Sequence, residues 1–260
     1  MNNYLVNEEA SEIRGMSRFI LKDKWIKVAI GLIIYQVIVT LIPDILTVLF
    51  PNQYQESVYM EEMVMSSNVA TLYNLLTLGA ISLGFAMYML SIVRLGKIQY
   101  DTIFEGFSFY FKAIVLTFLI GIFVILWTLL LIVPGIIAGY RYSQAYYILA
   151  DDPKKDPLKC INESKAMMMG NKGKLFGLQL TFLGWYILAV IPAVIVSFFT
   201  LELSDLVYYI IQDVLLILPL SIVMAYSNTA ETIFYDLLKY KGRENLPHEN
   251  ELALRPRIED

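Results

Sequence analysis

Residues 112–154 read KAIVLTFLIGIFVILWTLLLIVPGIIAGYRYSQAYYILADDPK. Between Lys112 and Lys154 the only basic side chain is Arg141. The 38 residues from Ala113 to Ala150 make about 57 Å of helix, close to twice the roughly 30 Å of a bilayer core. Lysine and arginine favour the cytoplasmic side of a membrane, so the two flanking lysines put both ends of this stretch on one face. The chain between them then crosses an even number of times. Pro134 and Gly135 stand near its middle. Proline lacks an amide donor and clashes with a continuing helix, while glycine tolerates turn dihedrals. The economical reading is a tight helical hairpin with its apex at Pro134 and Gly135. One long kinked helix is the alternative, since membrane helices tolerate proline. It would carry the lysines after Ala150 to the opposite face.

The opening stretch supplies the block 113–133 and the short returning arm 135–150; working outward, four other blocks are as apolar: 28–50, 71–93, 176–199 and 207–235. Most reach the roughly 20 residues a crossing requires. The last is long enough to tilt or to run past the headgroups. Nineteen of the twenty basic residues fall before the first block, between the second and third, between Ala150 and Phe176, or in the tail. The connections 51–70 and 200–206 hold no lysine or arginine, only acids such as Glu56, Glu61, Glu62, Glu202 and Asp205. The expected fold is therefore an all-α, polytopic membrane bundle of about six transmembrane helices with both termini cytoplasmic. Residues 1–27 form a cytoplasmic amphipathic segment, 28–241 the membrane domain, and 242–260 a polar tail. No cleavable signal is visible, so the first span is expected to act as a retained signal-anchor.

Composition excludes the main alternatives. Hydrophobic residues make up 57% and charged residues 17%, against about 25% charged in a soluble domain. Cys160 is the only cysteine and His248 the only histidine. No disulfide framework, Ser-His or Cys-His dyad, or histidine–metal cluster can be built from them. The net charge of −4 offers no basic field for nucleic acid. No cofactor or metal is expected, and catalysis is not.

Two surface helices are expected. Ile13, Met16 and Ile20 recur at helical spacing, and Arg14, Arg18 and Lys22 form a basic stripe on another face. That pattern suits a helix lying in the headgroup region, its bases toward anionic lipid, or a plain anchor for the first span. A second helix is expected from Pro157 to Met169, capped by Asp156 and ended by Gly170. Leu158, Ile161 and Met168 share one side of it, and Met167, Met168 and Met169 suit a membrane or docking contact. Cys160 reads as a small buried filler.

Within the hydrocarbon, Arg141 lies six residues past Gly135, Asp213 six past Val207, and Asp44 six before Phe50. A shared depth follows, and with it an intramembrane network in which Arg141 pairs with Asp213 or Asp44. Otherwise Arg141 snorkels and the acids sit in headgroups. Gly135 with Gly139, and Gly173 with Gly177, match the spacing that lets helices pack closely.

The stretches WTLLLIVPGIIAGYRYSQAYYILADDP and ESKAMMMGNKGKLFGLQLTFLGW, with the opening SEIRGMSRFILKDKW and FEGF before the third span, resemble a bacterial integral-membrane family, domain of unknown function 975. The resemblance implies a multi-span protein of the bacterial plasma membrane and brings no reaction, substrate or catalytic residue. More remotely, the chain is similar to the membrane domain attached to some glycerophosphodiester phosphodiesterases, whose soluble barrel has no counterpart here. Two functions are then open. One is a non-catalytic scaffold or accessory component of an envelope or export system, its partners the lipid bilayer and a membrane protein or second copy. The other is a small-solute or lipid transporter using the Arg141–Asp213–Asp44 network.

Overall fold

A computed structural model describes residues 4–52, 55–56, 63–64, 66–198 and 205–241. Most of the first acidic connection, the loop before the last helix and the tail from Gly242 lie outside these residues. The chain is helical: α1 (Ala10–Leu21), α2 (Trp25–Gln36), α3 (Ile42–Leu49), α4 (Asn68–Leu95), α5 (Thr102–Glu105), α6 (Tyr110–Leu130), α7 (Ile132–Tyr142), α8 (Ala145–Asp151), α9 (Pro157–Met167), α10 (Lys172–Leu180), α11 (Leu183–Ser197) and α12 (Asp205–Lys241). A five-residue π-helical segment, Val37–Leu41, joins α2 to α3, and a 3-10 turn, Gly106–Phe109, joins α5 to α6. The one sheet among the described residues is a two-residue antiparallel pair, Gln55–Glu56 with Met63–Val64.

Four helical stretches are long and apolar enough to cross a membrane: Trp25–Leu49, Asn68–Leu95, Thr102–Leu130 and Val207–Tyr240. Helices α10 and α11, bent by 43° at their junction, reach that length only as a pair, which makes a broken span or a re-entrant loop. The returning arm of the opening stretch is not one helix. It is α7 and α8, interrupted at Ser143 and Gln144. The reversal before it falls at Leu131, which is extended (φ −164°, ψ 150°). Pro134 and Gly135 instead occupy the first turn of α7, where a missing amide donor costs nothing.

The two arms run antiparallel. Lys112 Nζ donates to the carbonyl of Pro153 at 2.7 Å, Thr117 and Tyr146 share a hydrogen bond of 2.7 Å, and Phe123 packs on Tyr142 at 5.9 Å between centroids. Near the turn, Gly135 lies so close to Thr128 that a Cβ would overlap its hydroxyl. The α7–α8 break frees backbone groups that Ser164 of α9 takes up. Its hydroxyl donates to the carbonyl of Arg141 (2.8 Å) and accepts from the amide of Gln144 (3.2 Å). Without those bonds, each buried backbone group would cost about 1–3 kcal/mol.

The helix expected from Pro157 is α9. The Asp156 carboxylate caps it by accepting from the amides of Leu158 and Lys159, and Gly170 follows it at φ +85°. Its buried face is Cys160, Ile161, Ser164 and Met167, directed at α6, α7 and α8, while Leu158 and Met169 are exposed. Met167 and Met168 are thus buried in protein. On α1, Ile13, Ser17 and Leu21 are buried and pack against α12, with Met16 and Ile20 half-buried beside them. The apolar face read as a headgroup contact is covered by the protein's own last helix. A helix of twelve residues has one apolar stripe, and α12 occupies it.

Candidate functional site

Polar side chains inside the bundle collect into three groups along α12. Reading that helix at 3.6 residues per turn puts Asp213, Ser221, Thr232, Asp236 and Lys239 within one stripe. Asp213, Ser221, Thr232 and Asp236 are buried and Lys239 half-buried, while Val214, Leu218 and Ile222 of the same helix are exposed.

The first group lies toward the end of the bundle where α3 meets α4. The carboxyls of Asp44 (α3) and Asp213 (α12) lie close enough to interact electrostatically. Two carboxyl groups this close repel each other when both are ionised, which favours one proton between them. Asp213 is 5% exposed, and its Oδ2 has no hydrogen-bond partner. The π-helical segment ends three residues before Asp44. One of its carbonyls, that of Ile38, accepts from the Tyr73 hydroxyl at 3.0 Å. Such bulges recur at functional positions because they re-aim the side chains beyond them. Two turns inward from Asp213, the buried Gln36 amide donates to Ser221 Oγ at 2.8 Å.

The second group is a set of hydroxyls and one acid at mid-bundle. Ser82 lies near the hydroxyls of Tyr35 and Tyr146. Tyr147 pairs with Thr232 (3.1 Å) and Tyr186 with Ser227 (2.6 Å). Gln179 donates to Glu231 (2.8 Å) and accepts from the Tyr140 hydroxyl (2.6 Å). Burial without partners would be costly for each group, and the pairing removes that cost.

The third group closes the opposite end. Arg94, in the last turn of α4, donates from Nε to Asp236 at 2.9 Å and also engages Asp151 at the end of α8. Lys239 and the Tyr235 hydroxyl bind Asp151 as well. The Arg94 guanidinium lies 5.9 Å from the Tyr235 ring, which stacks on Tyr147 at 5.1 Å. Burial alone would raise the Asp151 carboxyl. The hydrogen bonds from Arg94, Lys239 and Tyr235 outweigh burial and hold it below the usual carboxylate value. Three helix ends far apart in sequence are therefore joined by two cations and two anions.

The structure brings two of the three expected intramembrane charges together and leaves the third out. Asp44 and Asp213 meet because α3 packs on α12. Arg141 sits half-buried on α7, which packs on α6, α9 and α10, and among the described residues no ion pair joins it to either acid. Counting residues from a helix end gives depth but not the neighbour across the bundle, and depth alone suggested that pairing. Of the four expected packing glycines only Gly135 is crowded. A Cβ on Gly139, Gly173 or Gly177 meets nothing within 4 Å. Close approach occurs instead at Gly84 and Gly106, where a Cβ would overlap the carbonyls of Ile103 and Ala80.

Sequence reading also missed the ionic cluster. Arg94, Lys239, Asp151 and Asp236 sit at span ends, where they read as ordinary orienting charges. Asn171 was missed too. It is fully buried, donating to the carbonyls of Tyr4 (2.8 Å) and Met167 (2.7 Å) and accepting from the amide of Val6 (3.0 Å). Cys160 is buried, and desolvation pushes its thiol up to about 11, which makes it an inert filler. No group of three metal-ligating side chains occurs among the described residues.

No curated protein and no solved structure matches the chain. A family model does, and it covers residues 128–241, from the end of α6 to the end of α12. That region holds Asp151, Asp213, Glu231, Asp236 and Lys239. Over it, the chain resembles the family described as Protein of unknown function (DUF975).

Proposed function

We propose that the chain is a non-catalytic, proton-exchanging component of a bacterial plasma membrane, with the Asp44–Asp213 pair as its exchange site. The contact between these carboxyls carries the reading. Ionisable side chains inside a span are expensive, and without a cation beside them they serve function more often than stability. A pair that shares a proton can give it up or take another with little movement, and the unpaired Asp213 Oδ2 leaves room for that change. Inward of the pair, the hydroxyls of Ser221, Tyr35, Ser82 and Tyr146 supply groups able to relay a proton.

This reading includes a six-crossing path: α2–α3, α4, α6, α7–α8, α10–α11 and α12. The antiparallel arms of residues 112–153 support the two middle crossings. The basic residues around Arg94, Lys154 and Lys239 support a cytoplasmic face at the ionic cluster.

The test is infrared titration of the protein in liposomes, together with dye-reported proton uptake under an imposed potential. A protonated-carboxyl band that titrates and disappears in Asp213→Asn, along with uptake, is the expected result. Uptake unchanged in both Asp44→Asn and Asp213→Asn would sink the proposal.

The scaffold reading keeps one observation of its own. The Arg94–Asp151–Asp236–Lys239 cluster is fully paired, as suits a rigid platform. Unaltered uptake together with a stoichiometric membrane-protein partner on purification would favour it.

A further inference from the structure

An apolar groove of about 390 Å3 runs between α2 and α12 on the outside of the bundle, lined by Trp25, Ile26, Ile30, Ile33, Leu218 and Ile222. Pro219 forms part of its wall. Ile26 is 79% exposed, so the groove opens to the surroundings rather than to the protein interior. One turn inward on the same face of α12 stands Tyr226, whose ring packs edge-on against Trp25 at 5.6 Å. The Tyr226 hydroxyl donates to the backbone carbonyl of Arg14 at 3.4 Å. The inner mouth of the groove is therefore closed by α1 at Arg14.

What stands at that mouth is positive. Arg14, Arg18 and Lys22 follow one another at four-residue spacing toward the start of α2, and Arg18 and Lys22 are exposed. The Arg14 Nε atom is buried with no hydrogen-bond partner. Arg14 therefore holds its charge against the protein at the inner end of the stripe, where it adds to the positive potential of Arg18 and Lys22. The acids nearest in sequence are Glu12, exposed on α1 with its carboxylate accepting from the Glu9 amide, and Asp23, exposed in the turn between α1 and α2. Because α12 already covers the apolar face of α1, the basic stripe on its other side does not serve to lay this helix on lipid tails. It is free to receive a headgroup.

We propose that the groove is a binding site for one anionic phospholipid. One acyl chain lies along Trp25, Ile30 and Leu218. The phosphate is held by the exposed Arg18 and Lys22, with the charge of the half-buried Arg14 beside them. A guanidinium suits a phosphate because its donors form a planar fork. The tail commits the occupant to a lipid rather than to a soluble phosphate. This site is independent of the carboxyl pair, which lies toward the other end of α12.

Trp25 makes the proposal measurable. In a Trp127→Phe, Trp185→Phe background it is the single tryptophan. The protein is placed in bilayers of zwitterionic phosphatidylcholine containing a small fraction of chain-brominated lipid, either phosphatidylglycerol or phosphatidylcholine. Brominated phosphatidylglycerol is expected to quench Trp25 at a several-fold lower mole fraction than brominated phosphatidylcholine. Replacing Arg18 with Gln should reduce that preference about fivefold, and Arg14→Gln should act in the same direction. Ala29→Phe, which fills the groove wall, should weaken quenching by both lipids. Arg18 is exposed, so its variant reports on binding even where Arg14→Gln disturbs the fold. Equal quenching by the two headgroups overturns the proposal. So does a preference that survives both basic substitutions, or quenching that inorganic phosphate relieves.

Discussion

Gly84 and Gly106 show how much one missing methyl group decides. They bring α4 into backbone contact with the turn before α6, each lying against a carbonyl oxygen of the other segment. Backbone cannot step aside as a flexible side chain can, so Gly84→Ala should destabilise the protein by about 1–3 kcal/mol. Gly139→Ala, with open space around it, should leave the melting temperature in detergent unchanged or slightly raised. Equal melting temperatures for both variants would refute this account of α4 packing. The GxxxG reading did not find this pair. It searches for two glycines on one helix, whereas Gly84 meets a glycine 22 positions away. Asp44 and Asp213 were more legible, because a carboxyl in an apolar run is conspicuous by itself. The choice of partner was not, because it depends on which helices touch.

At the scale of elements, the flanks of the opening stretch predicted its course and its proline misplaced its turn. Lys112 and the residues around Lys154 do meet, but the reversal lies at Leu131. Proline and glycine mark where a helix begins as readily as where one ends, and here Pro134 serves the first turn of α7. The break at Ser143 carries no glycine or proline and was not legible, because Ser164 of a later helix is what stabilises it. The topology can be measured by maleimide labelling in a Cys160→Ala background. Lys97→Cys and Lys154→Cys, both exposed, should label from one side of the membrane, and Ser66→Cys from the other. Labelling of Lys97→Cys and Lys154→Cys from opposite sides would leave α6 as a single crossing without return. The parent protein, with Cys160 buried and its thiol pushed up to about 11, should not label until denatured.

Across the whole molecule, the composition and the distribution of basic residues made the membrane class plain, since both sum over many positions. The ionic cluster was hidden because it depends on three helix ends converging. It should set the acid tolerance of the fold. Asp151 is held below its unfolded-state value, so its stabilisation is complete at neutral pH. It is lost as the pH falls below about 4, through the folded value. Arg94→Gln should cost about 1.5–3 kcal/mol at neutral pH by removing charged hydrogen bonds, and should flatten the dependence of melting on acid. Melting curves that fall in parallel for both proteins between neutral and acid pH would show that other groups control it.

The same cluster has a temporal side. Arg94 leaves the ribosome first, Asp151 next, and Asp236 and Lys239 last. Until α12 emerges, Arg94 has only Asp151 to bind, and the Asp44 carboxyl has no counterpart across the bundle. Before α12 is in place, the charges of the cluster are only half-matched. A chain truncated within α12 would therefore stay recognisable to membrane proteases as unfinished, however well its first spans had inserted.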